Sequence, residues 1–452
     1  MNFFDNIVLH QSAEHIQLLH YLLILIKFLF LPFLSLILVG TFISLWFWKK
    51  GLKENNHLYI QFAKDVIDIF TINKSFGLAL GILPLITSIL IFAQLLYKSY
   101  SAAIVILMTA LPLLVLGILL IYILKYSMTF NELFNELGLT SQLNDSVQEK
   151  LRKFSKGSNQ LARRSGIIGF ALLIVGAWYY VSAVNSAVLA ENWVNGNHIS
   201  LLFSAEAMLN FIQFLLVAVA LAGATILFVF FYWDGGRKNT TEDYKNFIKK
   251  FGLTITLVSL ILIPAILFIN NLLLPKTSYS GAVFSYLFIT IALIFFLYHL
   301  LYAISKTSNF KMSGQLFFVL IFMILVLIIK EEIVVTNSTK LHSAVLSNDF
   351  NKYLSSLKGE DVSKVQGRSG EEIFNVICST CHKFDEKLVG PPYNKVLVKY
   401  EGKMDQLVAF IRNPVKIDPA YPPMPNQGLT PTEARNIADY IMNQHMKSTE
   451  KK

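Results

Sequence analysis

The sequence predicts an all-α protein: a polytopic membrane helix bundle of about eight transmembrane helices, followed by a small soluble helical domain. Three observations carry this. The 452 residues are 54% hydrophobic and only 15% charged, with a mean hydropathy of +0.53. That is too apolar for a soluble chain of this length. Apolar stretches long enough to cross a bilayer recur as far as about residue 335 and then stop. The remaining residues are polar and hold both of the chain's cysteines.

The apolar stretches place spans near 18–48, 74–97, 102–124, 166–190, 205–233, 251–274, 281–303 and 313–335. Residues 3–16 read as a short surface helix ahead of the first span. The opening stretch lacks a basic n-region and a small-residue cleavage site, so no removable signal peptide is expected. Domain boundaries follow: a membrane domain over 1–335, a partly helical polar tether over 336–368, and a soluble domain over 369–452.

Basic residues set the orientation. Lys49, Lys50, Lys53, Lys64 and Lys74 follow span one, and Lys125, Lys150, Arg152, Lys153, Lys156, Arg163 and Arg164 follow span three. Arg237, Lys238, Lys245, Lys249 and Lys250 follow span five, and Lys306 and Lys311 follow span seven. The alternate loops hold only Lys98 and Lys276. The basic set is therefore cytoplasmic, and both termini face outward. The net charge of +10 sits mostly in these loops, so the lipid bilayer, and no nucleic acid, is the expected partner.

The two cysteines form one motif, Cys378-Ser379-Thr380-Cys381-His382. Two thiols spaced by two residues match the two vinyl groups of a haem, and the adjacent histidine reaches the iron as an axial ligand. A structural zinc site needs about four ligands, and no second cysteine pair exists. A thioredoxin-like motif needs a βαβ context that is absent. One covalent haem c is the reading. A second axial ligand belongs in a downstream loop, where Met424 lies in Tyr421-Pro422-Pro423-Met424-Pro425. Met404 and Met442 compete, but Met404 falls in a helical pattern with Leu407, Phe410 and Ile411 where core packing is expected, and Met442 sits in the last helix. A thioether held beside prolines favours the ferrous state. The final helix shows its start: Thr430 as N-cap, Pro431 at the first position, Glu433 completing a capping box, and Ala434, Ile437, Ala438 and Ile441 as the buried stripe.

The run Gly370-Glu371-Glu372-Ile373-Phe374 leading into the motif resembles the first helix of class I cytochromes c. The resemblance covers residues 369–446. It implies a periplasmic cytochrome c domain, with Phe374 packed against the last helix. It also implies that the Pro391 carbonyl in Val389-Gly390-Pro391-Pro392 accepts the His382 ring N–H; a simple proline turn is the alternative.

Within the spans, His20 and His299 lie at opposite sides of the bilayer and cannot share one haem. Lys27 stands about ten residues into span one as the only clear intramembrane charge. Gln94, Asn185, Glu191, Glu206, Asn210, Gln213, Asn270 and Asn271 fall in the outer half. They either bond between helices or line a pocket.

Lys27-Phe28-Leu29-Phe30-Leu31-Pro32 resembles the first helix of the haem-bearing subunit of cytochrome bd-type oxygen reductases. Phe76-Gly77-Leu78-Ala79-Leu80-Gly81, Ala177-Trp178-Tyr179 and Tyr232-Trp233 echo the same family over residues 15–275. Lys27 and Gln213 stand where that family places haem-ligating histidines, which implies no haem b or d here. The reading is an electron-transfer subunit in a bacterial inner membrane, not catalytic alone. It passes electrons from a soluble donor, such as a cytochrome c or cupredoxin, to a haem-bearing partner subunit of a bd-like respiratory complex. The alternative is that the bundle is itself a haem- or quinol-binding catalytic oxidase subunit, with His20, His299 or methionines as ligands. A transporter or sensor gated by the haem domain ranks below both, because it calls for broken helices or paired intramembrane charges.

Overall fold

The computed structural model describes residues 10–99, 101–138, 145–189, 193, 198–237, 240–357, 368–418, 421, 422 and 424–449. Among these residues there is no β-strand. The chain divides into two compact units, Met1–Asn348 and Asp349–Lys452.

Among the described residues, the first unit holds a bundle of eight helices that are long and apolar enough to cross a membrane. Helix α1 spans Ala13–Glu54, and its N-cap Ser12 accepts the His15 backbone N–H. Helix α2, His57–Phe70, buries Phe62, Val66 and Phe70 along one face. The next span begins as α3, Lys74–Phe76, passes through a π-helical stretch at Gly77–Ile82, and continues as α4, Leu83–Leu95. Helices α5, Ala103–Gly138, and α6, Asp145–Val188, run far past the bilayer-crossing length. They stay together there through Ser155 to Asn131 at 2.7 Å and Ser158 to the Ser127 carbonyl at 2.7 Å. The short α7, His198–Leu202, leads to α8, Ala205–Phe231. Then come α9, Glu242–Leu272, α10, Gly281–Thr307, and α11, Ser313–Ser338.

Helix α8 is central. Every residue from Ala220 to Phe228 is buried, and four of them are alanine or glycine within the first five. Lipid is as apolar as a leucine side chain, so helices in a bilayer associate by close packing, which small residues permit. The periphery shows the converse. Phe268 on α9 and Phe288 and Phe295 on α10 are among the most exposed side chains of the unit. Large apolar groups turned outward fit a lipid-facing surface. The chain is a multi-pass membrane protein with an all-α fold.

Several expectations change. The expected surface helix over 3–16 is not separate where the structure describes it: residues 13–16 are the first turn of α1, and 3–9 lie outside the described residues. The expected loop after span one contains α2. Most of the basic residues placed between spans three and four lie on α6. The polar stretch after residue 335 is helical where it is described, apart from its ends: α11 runs to Ser338 and α12 covers Lys340–Leu357, with 358–367 outside the described residues. A sequence with few apolar residues still forms helix where its propensities allow, which hydropathy does not register.

The largest correction concerns charge. Lys27 is not alone within the spans. Its Nζ lies 2.6 Å from Glu332 Oε2, and His20 Nδ1 lies 2.7 Å from Glu332 Oε1. All three side chains are buried. The shared carboxylate ties α1 to α11. Replacing Glu332 with alanine leaves Lys27 uncompensated and is expected to cost about 3–5 kcal/mol. The double replacement Lys27→Met, Glu332→Leu should recover most of that loss. Unfolding of the full chain in nanodiscs checks both values.

Candidate functional site

The second unit builds its site from a capped helix start. Ser369 accepts from the Glu372 N–H at 3.2 Å, and the Glu372 carboxylate accepts from the Ser369 N–H at 2.9 Å. This capping box starts α13, Gly370–Ile373. The helix continues as a π-helical turn, Phe374–Cys378, which ends on the first cysteine. The His382 N–H then donates to the Cys378 carbonyl at 2.9 Å, which closes the turn holding Cys381 and His382.

The loop after the motif folds back on it. Gly390 N–H donates to the Cys381 carbonyl at 2.8 Å. His382 Nδ1 lies 3.0 Å from the Pro391 carbonyl oxygen. Tyr393, which opens α14, Tyr393–Val396, stacks on the His382 ring with centroids 4.9 Å apart and planes 16° apart. A Cβ on Gly390 would lie 2.2 Å from His382 Cε1, so only glycine lets the backbone come this close to the ring.

Helices α15, Met404–Arg412, and α16, Pro431–Thr449, close the unit. Leu407, Ala434, Ile437, Ala438 and Ile441 are buried in its core with Ile373 and Leu397. Phe374 sits 5.6 Å from Tyr440, ring to ring, on α16. A Cβ on Gly370 would lie 2.2 Å from the Asn436 carbonyl, so α13 and α16 cross at close range. Met442 is buried in this core, and Met404 packs against it.

Two adjoining cavities of about 260 and 90 Å³ lie within this frame. Both are lined by Cys378, His382, Pro391, Tyr393, Pro422 and Met424, and Cys381 lines the smaller. Leu407, Ile411, Ile437 and Ile441 form apolar walls of the larger. Two thiols, an imidazole and a thioether thus face one apolar slot, which is the donor set a thioether-linked haem needs. The zinc alternative finds no ligand set: among the described residues, no three His, Cys, Asp or Glu side chains group as a metal site. Burial pushes the Cys378 thiol up, against the Tyr393 hydroxyl, which lowers it. Burial also holds Tyr393 well above the usual phenol range.

Comparison with known proteins agrees with this geometry. Residues 365–441 match a family model described as cytochrome C oxidase, cbb3-type, subunit III. Cytochrome c-551 of Pseudomonas denitrificans is 38% identical over 79 residues, which is 16% of this chain and 95% of that protein. Cytochrome c-551 of Azotobacter vinelandii is 33% identical over 78 residues, again 16% of this chain and 95% of the relative. The chain belongs to the cytochrome c family through this domain. No solved structure gives a significant match. The cytochrome c domain carries a covalently bound haem c, and its work is electron transfer.

Sequence reasoning named Cys378, Cys381, His382, Pro391 and Met424, and the fold brings all five to the same slot. It missed Tyr393 as the stacking partner of His382. The only signal was a tyrosine directly after the proline pair. It also missed the ionic residues of the bundle. In the membrane unit Lys330, Glu331 and Glu332 follow one another near the end of α11. Gln213 donates to Glu331 at 3.1 Å and accepts from Asn270 at 2.7 Å, while Asn210 donates to Asn185 at 3.0 Å. Both expected roles of these amides are met, since they bond between helices and line a cavity of about 120 Å³ with Lys27 and Lys330. Gln94 instead meets His15 at 3.0 Å. Glu191 lies outside the described residues. His20 is tied to Glu332, whereas His299 is exposed on α10 with Nδ1 at 3.2 Å from the Phe295 carbonyl.

The α16 cap makes a pH prediction. Glu433 accepts from Arg368 at 2.8 Å and from the Thr430 N–H at 3.1 Å. The Arg368 guanidinium, with Thr430 adding to it and partial burial opposing, holds the Glu433 carboxyl below its ordinary value. A depressed carboxylate stabilises the fold above the ordinary carboxylate range, and this is lost as pH falls through the lowered value. Glu433→Ala should therefore cost about 1 kcal/mol near neutral pH. The cost should vanish in acid. Denaturant titration of the full chain, followed at the haem absorption, measures it.

Proposed function

We propose that this protein is the electron-entry subunit of a membrane oxidoreductase related to the bd-type oxygen reductases. A soluble donor, such as a cytochrome c or cupredoxin, gives one electron to the cytochrome c domain. A haem-bearing partner subunit takes it onward. The domain and the N-terminus face the periplasm of a bacterial inner membrane, opposite the basic loop residues.

The observation that carries the proposal is the convergence of Cys378, Cys381, His382 and Met424 on one slot, in a chain that is otherwise a multi-pass bundle. Haem c supplies reversible one-electron chemistry. The chain's residues decide how that chemistry is held. Cys378 and Cys381 anchor the group covalently. His382 would ligate the iron through Nε2, because its Nδ1–H donates to the Pro391 carbonyl at 3.0 Å, which fixes the tautomer. Gly390 and Tyr393 confine the ring from two sides. Met424 would supply the second protein ligand to the iron, and its thioether would raise the potential. Apolar walls keep water from the slot and reduce the reorganisation that each electron transfer demands.

In the bundle, the lysine and amide at the two positions where bd-type subunits hold histidine support a scaffold role. Lys27 is committed to Glu332, and Gln213 is committed to Glu331 and Asn270. Purification in mild detergent tests the proposal. The isolated chain should show only a c-type α-band in reduced-minus-oxidised spectra, and the intact complex should contain a second, haem-bearing membrane subunit. Bands of b or d type in the isolated chain would overturn the scaffold reading. Met424→Ala should lower the midpoint potential and open the iron to carbon monoxide. An unchanged potential with no carbon monoxide binding would remove Met424 from the ligand set.

A further inference from the structure

We propose that the cavity among α1, α6, α8, α9 and α11 binds a small monovalent anion on the Lys330 ammonium. Lys330 lines this cavity and is 3% exposed, yet among the described residues its ammonium has no ion-pair or hydrogen-bond partner. The other charges there are met by contact. Lys27 is closed by Glu332 at 2.6 Å, and Glu331 accepts from Gln213 at 3.1 Å. An ammonium inside a span is strongly disfavoured unless something compensates it. The adjacent Glu331 attracts Lys330 across space but makes no ion pair with it.

A buried ammonium that lines a cavity without a contact partner calls for a negatively charged occupant. Size and charge narrow the class. A cavity of about 120 Å³ holds about four water volumes. That admits a halide or a nitrate-sized ion with a water or two. The nearby Glu331 and Glu332 carboxylates disfavour a doubly charged ion. Tyr180 on α6 is the remaining titratable group lining the cavity, and α8 and α9 contribute only amides among their polar side chains.

The test uses the full chain in nanodiscs of uncharged lipid, freed of halide by exchange into gluconate, with bromide as the probe. Bromide at constant ionic strength should raise the thermal unfolding midpoint saturably, as a ligand specific to the folded state must. The apparent affinity should fall at least about tenfold in Lys330→Gln and Lys330→Met. Bromine anomalous scattering from crystals of the wild-type chain should give a peak at Lys330, which keeps the proposal testable if a variant does not fold. No bromide dependence, an equal response in the variants, or a wild-type cavity holding water alone would overturn it.

Discussion

The carboxylate of Glu332 is the fixed point of the membrane unit. Apolar contact alone cannot choose among helix neighbours in a bilayer, because lipid offers each helix an equally apolar partner. A carboxylate buried between a lysine and a histidine does choose. It specifies that α1 meets α11, and it sets how far each helix is pushed along its axis. The small residues of α8 then let the surrounding helices close around that choice. Lys27 can be kept at this depth only because Glu332 is there.

The cytochrome c domain solves a different problem. It must offer two thiols, an imidazole and a thioether to one face of a slot in a unit of modest size. It does so by crossing α13 and α16 at a glycine and by folding the 389–393 loop onto His382. Each device removes freedom from the lining of the slot. The Nδ1 contact to Pro391 fixes the tautomer, Gly390 permits the close approach, and Tyr393 limits rotation of the ring. The same economy of motion suits electron transfer, where a rigid and dry site lowers the reorganisation each exchange requires.

The two units also differ in how polar groups are kept. In the bundle, amides and charges meet across helices: Gln213 joins Glu331 to Asn270, and Asn210 joins Asn185. Lys27 is paired with Glu332, and Lys330 and Glu331 precede that carboxylate on α11.

The sequence by itself determined whatever is local or periodic. Spans of apolar residues reported the eight crossings, because length and hydropathy are summed along the chain. The Cys378–His382 motif reported its cofactor, because both thiols and the imidazole lie within one turn. The Thr430–Glu433 cap was legible for the same reason. Tertiary structure alone decided the rest. The partners of Lys27 and His20 lie 305 and 312 residues away in Glu332, and no periodicity links residues so far apart. Lys330, Glu331 and Glu332 read in sequence as the polar end of a span. Only packing shows that the bundle buries them, because burial depends on which neighbours arrive, and that is fixed by the whole fold.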